Sequence, residues 1–193
     1  GREYGAGSAE DGERIQVELV SANPTGPITV AAARNGAYGD SVARLLEFAG
    51  HEVDREYYYN DAGTQMERFR ASVEAVRRGE APPKDGYHGD YVAELATLEG
   101  DPVPHMLRQI EGSLERFRVH FDTYFSETSL QESGAVADAI DRLVAAGDAY
   151  EKNGAIWFRT TAYGDEKDRV IRRADGTTTY IAPDIAYHLD KAA

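Results

Sequence analysis

Two segments with a period of two enclose one with a helical period, and that order constrains this chain more than any other feature. In "RIQVELVSA" (14–22) Ile15, Val17 and Leu19 alternate with polar residues, the pattern of a half-buried strand. From about Ala31 to Phe48 the apolar positions Ala37, Val42, Leu45 and Leu46 recur at helical spacing, and Gly50 stands where the helix should stop. "EVDREYYY" (52–59) returns to alternation through Val53, Tyr57 and Tyr59. Strand, helix and strand in so short a length predict a βαβ unit with parallel strands and a right-handed crossover.

Beyond this unit, Thr64 to Arg78 reads as a second amphipathic helix, broken by the Gly and paired Pro of "RRGEAPPKDGYHGD" (77–90). Two further helices, Tyr91–Leu98 and Met106–Arg118, are separated by "EGDPVP" and form an α-helical insertion. "FDTYFSETSL" (121–130) returns the chain to the sheet, and Gly134–Ala146 is a helix ended by Gly147. The segments "AIWFR", "RVIRR" and "TTTYI", with the turn "ADG" (174–176), predict a small antiparallel ribbon, after which Pro183–Lys191 opens a last helix. The expected class is α/β: a first half of the core in 1–80, a helical insertion in 81–120, and a return to the core with the ribbon in 121–193.

Composition narrows the function. With no cysteine among 193 residues, disulfides, zinc–thiolate sites and thiol nucleophiles are excluded. His51, His88, His105, His120 and His188 show no close pair at metal-ligand spacing, so no metal site is expected. No apolar run approaches the length of a bilayer span, and residues 1–14 lack the pattern of a leader, which predicts a soluble cytoplasmic protein. The opening Gly1, with the first methionine at Met66, suggests a piece excised from a longer chain. A formal charge of −13 repels phosphate backbones, so this piece alone should bind RNA poorly.

Three segments together carry a family likeness: "VELVSANPTGPITVAAARNGAYGD" (17–40), "REYYYNDAGTQMERF" (55–69) and "GDEKDRVIRRADGTTTYIAPDIAYHLDK" (164–191). They resemble the catalytic domain of arginyl-tRNA synthetases, class I enzymes on a Rossmann-like core. The resemblance implies activation of L-arginine with ATP, accompanied by magnesium, to an adenylate, and transfer to tRNA(Arg) in translation. The family's His-[Ile/Val]-Gly-His signature falls on Thr29, Val30, Ala31 and Ala32, so both histidines and the glycine are replaced. Its Lys-Met-Ser-Lys loop and its tRNA-binding domains would lie outside this sequence.

By the same resemblance Glu18, Asn23, Tyr180 and Asp184 line the arginine pocket, where carboxylates would meet a guanidinium fork. Glu18 interrupts an apolar strand near its carboxyl end, where open α/β sheets bind ligands. Each residue also has an ordinary reading: a solvated edge for Glu18, an Asx turn before Pro24 for Asn23, a core aromatic for Tyr180, and a helix cap for Asp184. The resemblance assigns ATP to Thr29, Val30, Ala31, Ala32 and Arg34, with Thr29 and Ala32 at the catalytic histidine positions. Thr29 reads equally as a helix cap and Arg34 as a solvated helix-face residue. "NDAG" (60–63) resembles a loop near the family's active site and is also a turn signal. The expectations are an arginine–tRNA ligase for the parent chain and inactivity for this piece, or else an arginine-binding paralogue without catalysis.

Overall fold

The computed structural model describes residues 4–192; Gly1, on which the reading of an excised piece rests, and the first residues of the stretch read for a leader lie outside them. The chain forms two compact units, 1–126 and 127–193. In the first, β1 (Arg14–Glu18), β2 (Glu52–Tyr59) and β3 (Thr123–Ser126) form a parallel sheet in the order β1-β2-β3. The crossover between β1 and β2 is α1 (Val30–Ala49), which ends at Gly50 with φ +109°, a conformation glycine adopts without a Cβ penalty.

Glycine also sets how α1 meets the sheet. A Cβ on Gly39 would lie 2.7 Å from the Leu19 Cβ, and one on Gly36 would lie 3.2 Å from Val20 Cγ2. The helix therefore rests almost directly on the chain leaving β1. After β2 come α2 (Gly63–Arg77), α3 (Asp90–Ala96) and α4 (Pro102–Arg116). Met66, Phe69 and Val73 of α2 share one apolar cluster with Val92, Leu95, Met106, Ile110 and Leu114, and with Leu19 and Tyr57 from the sheet. Tyr57 is fully buried, stacked on Tyr124 with ring centroids 5.2 Å apart and edge-on to Phe121 at 5.3 Å.

The expected start of α4 at Met106 is four residues late. Asp101 caps the helix by accepting the Val103 N–H at 3.2 Å, and Pro102 occupies the first helical position, where a missing N–H costs nothing. The prolines of "DPVP" thus begin a helix rather than separate two.

In the second unit, α5 (Glu127–Glu132) and α6 (Ala135–Ala146) precede an antiparallel sheet of β4 (Ala149–Lys152), β5 (Ala155–Phe158) and β6 (Arg169–Arg172). The ribbon is present, with different membership. "AYEK" supplies a strand, whereas "TTTYI" contributes only a bridge between Thr178 and Arg172 because Tyr180 already takes helical backbone angles at the cap position and Ile181 opens α7 (Ile181–Lys191). That helix starts two residues before the expected Pro183, since proline is tolerated in a first turn.

Candidate active site

The carboxyl ends of β1, β2 and β3 lie on one edge of the parallel sheet, and the first turn of α1 starts from the loop that leaves β1. Glu18 is the last residue of β1, on its exposed alternation, opposite Glu56 of β2. Asn23 follows in the loop. Its carboxamide does not fold into an Asx turn: Oδ1 accepts the Asn60 N–H at 3.0 Å and Nδ2 donates to Gln65 Oε1 at 2.6 Å. Asn23 therefore fastens the loop after β1 to the loop after β2.

That second loop holds itself in shape as well. Asn60 Oδ1 accepts the Ala62 N–H at 2.9 Å, the Asx turn its sequence suggests, and Asp61 Oδ2 accepts the Ser126 hydroxyl at 2.7 Å from the end of β3. Beside them, burial and the Asp61 charge push the Tyr59 phenol above its ordinary value. Asp61 lies within the "NDAG" turn signal, whereas Gln65 and Ser126 had no signal in the sequence that set them apart from ordinary helix-face and strand-end polar residues.

Thr29 caps α1: its hydroxyl oxygen accepts the Ala32 N–H at 3.2 Å with an extended backbone. Val30 is 88% exposed, Ala31 is exposed and Ala32 half-buried, so the first turn offers methyl groups and backbone N–H groups with almost no side-chain polarity. Arg34 is exposed one turn further on. Next to this turn lies a cavity of about 250 Å³ whose lining includes Asn23, Gly26, Thr29 and Ala32. Tyr87 and Tyr91 close it from the segment between α2 and α4, and Tyr91 donates its hydroxyl to the Thr25 carbonyl at 3.1 Å. No spacing rule points to these tyrosines, which the chain brings back from more than fifty residues away.

Tyr180 and Asp184 belong to the second unit. Tyr180 is exposed immediately before α7, not buried in a core, and makes no side-chain capping bond. Asp184 is not the cap: it lies in the first turn of α7, its N–H reaching the Tyr180 carbonyl at 3.4 Å, where a negative charge still complements the helix dipole. Among the described residues no group of three or more histidines, aspartates and glutamates could hold a metal ion, and no helix is long and apolar enough to cross a membrane.

Residues 2–82 match the family profile described as tRNA synthetases class I (R), catalytic domain. The arginine–tRNA ligase of Frankia alni is 47% identical over 99% of this chain, and that of Bacillus licheniformis 45% identical over the same share. This chain spans 38% and 39% of those two relatives. A Campylobacter jejuni structure assigned as an arginyl-tRNA synthetase superposes with a TM-score of 0.86 at 33% identity, over 99% of this chain and 47% of its own. The Thermus thermophilus arginyl-tRNA synthetase follows at 0.67 and 25% identity, over 95% and 37%. Strand order, motif order and these likenesses agree over almost the whole chain, which belongs to the arginyl-tRNA synthetases of class I.

Proposed function

We propose that this chain is part of the catalytic domain of an arginine–tRNA ligase, with residues 81–120 inserted between core segments 1–80 and 121–193. In the activation step a carboxylate oxygen of L-arginine attacks the α-phosphorus of ATP, the bond to the bridging oxygen breaks, and pyrophosphate leaves. Glu18, Asn23, Tyr180 and Asp184 are the residues proposed to hold arginine, the carboxylates facing its guanidinium and the carboxamide its polar backbone end. ATP takes the first turn of α1, at Thr29 to Ala32 with Arg34 nearby, where unpaired N–H groups and the dipole favour an anion. Magnesium arrives with the triphosphate; the described residues gather no ligand set for it, and no step is assigned to it. Transfer to tRNA(Arg) in the cytoplasm belongs to the whole ligase, through domains outside this sequence.

The single observation carrying this reading is the joint placement of Glu18, the Asn23 carboxamide and the α1 first turn on one edge of a parallel sheet, beside a cavity. A second reading, an arginine-binding module without catalysis, is favoured by one feature: the signature positions hold Thr29, Val30, Ala31 and Ala32, and the Thr29 hydroxyl is already used as a cap. Losing one preorganised donor to developing charge typically costs about 3 kcal/mol of transition-state stabilisation, so this chain alone is proposed to be inactive. Calorimetry with arginine and then ATP, with pyrophosphate exchange, tests both. Arginine heat with exchange supports an active ligase, and arginine heat without exchange in a chain extended to the relatives' length supports the binding module. A folded chain that takes up no arginine removes both.

A further inference from the structure

The chain leaving β1 is bent where no glycine permits it. Val20 has φ +66° and Ser21 +42°, and the Ser21 N–H donates to the Leu19 carbonyl at 2.9 Å. A bond across two residues with such a φ at the centre is the rare, strained γ-turn, and a β-branched residue is the least suited to it. Strain of this kind persists only where the surroundings impose it. Here they do so through side chains. Asn35 Oδ1 accepts the Val20 N–H at 2.6 Å, Ser21 Oγ accepts the Tyr58 N–H at 3.1 Å in place of continued strand pairing, and Tyr57 donates its hydroxyl to the Ala22 carbonyl at 2.8 Å.

The bend lies between Glu18 and Asn23. An extended continuation would carry Asn23 onward along the strand direction, away from the Asn60 N–H and Gln65 side chain it now meets. Resting on the arginine-pocket reading above, we propose that Asn35 is a positioning residue for amino-acid binding: it holds the Val20 amide in the bend and thereby fixes Asn23 relative to Glu18. Asn35 is exposed on α1 and follows directly on Arg34, so the helix whose first turn is assigned to ATP also shapes the arginine side of the site.

The test titrates arginine and ATP separately into the chain and its Asn35→Ala and Asn35→Asp variants, and follows amide hydrogen exchange at Val20 and Asn60. Asn35→Ala should weaken arginine binding about tenfold, the effect of about one lost net hydrogen bond. It should also speed exchange at both amides and leave ATP affinity unchanged. Asn35→Asp keeps the acceptor and should behave as the parent. Unchanged arginine affinity with a protected Asn60 amide in Asn35→Ala, or an Asn35→Asp variant as weak as the alanine one, overturns the proposal. If the parent itself takes up no arginine, the functional reading falls. Asn60 exchange then decides alone, faster exchange in Asn35→Ala supporting control of Asn23 and unchanged exchange refuting it. Should Asn35→Ala not fold, Asn35→Leu, which keeps the side chain close to its size and removes the acceptor for the Val20 N–H, is read the same way.

Discussion

At the scale of single residues, the first turn of α1 decides what chemistry is available. Its four signature positions expose one hydroxyl, committed to the Ala32 N–H, and otherwise methyl groups. Returning one donor there should be felt by a phosphate: Ala32→His is expected to tighten ATP binding about tenfold, the worth of one hydrogen bond to a charged group. Calorimetry checks it, and unchanged affinity would remove ATP from this turn. The capping role of Thr29 was legible because extended residue, hydroxyl and following helix are adjacent in sequence. The bend at Val20 was not. Valine gives no hint of a left-handed φ, and the groups that impose it come from α1 and β2, 15 and 35 residues away. Tyr57 was legible as strand, while its hydroxyl bond and a phenol pushed up to about 12 by burial depend on tertiary packing.

At the scale of elements, α1 and the chain leaving β1 meet through Gly36 and Gly39 with almost no separation. Gly39→Ala would place a methyl carbon 2.7 Å from the Leu19 Cβ and 2.9 Å from its Cδ1. The helix must then move outward, and we expect a loss of about 1–3 kcal/mol in urea unfolding, the usual cost of overpacking. A neutral result would mean that α1 is not seated as tightly as the distances indicate. Helix ends signalled by glycine, such as Gly50 and Gly147, could be read directly because the left-handed cap favours that residue. Ends involving proline could not, since the same residue stops a helix interior and starts a first turn; α4 and α7 both begin earlier than their sequences suggested.

At the scale of the whole molecule, an excess of acidic groups is organised around a few cations. Arg55, buried in β2, donates from both terminal guanidinium nitrogens to Glu47 at 2.7 and 2.9 Å and from its Nε to Asp40 at 3.3 Å. Arg70 pairs with Asp101 at 2.9 Å. The hydrogen bond from Arg55 holds Glu47 below its ordinary value of 4.5, and that from Arg70 holds Asp101 below 3.8. Both carboxyls therefore bind protons more weakly in the folded than in the unfolded chain. Their stabilisation is complete above those ordinary values and is lost as pH falls through the lowered ones. The urea midpoint should be insensitive to these two groups above pH 4.5 and decline progressively below it. A midpoint that rises on acidification over this range would contradict the assignment. The sequence announced the charge excess but not the pairs, because Asp40, Glu47 and Arg55 meet only once α1 lies over the sheet.

The shared cluster under α2, α3 and α4, and the Tyr91 hydroxyl on the Thr25 carbonyl 66 residues back, make the stretch around Ala81 to Asp85 a seam rather than a hinge. A protease that cuts this exposed turn should leave two peptides that travel together through a sizing column and part only in denaturant. Such a nicked preparation would look intact until it is boiled.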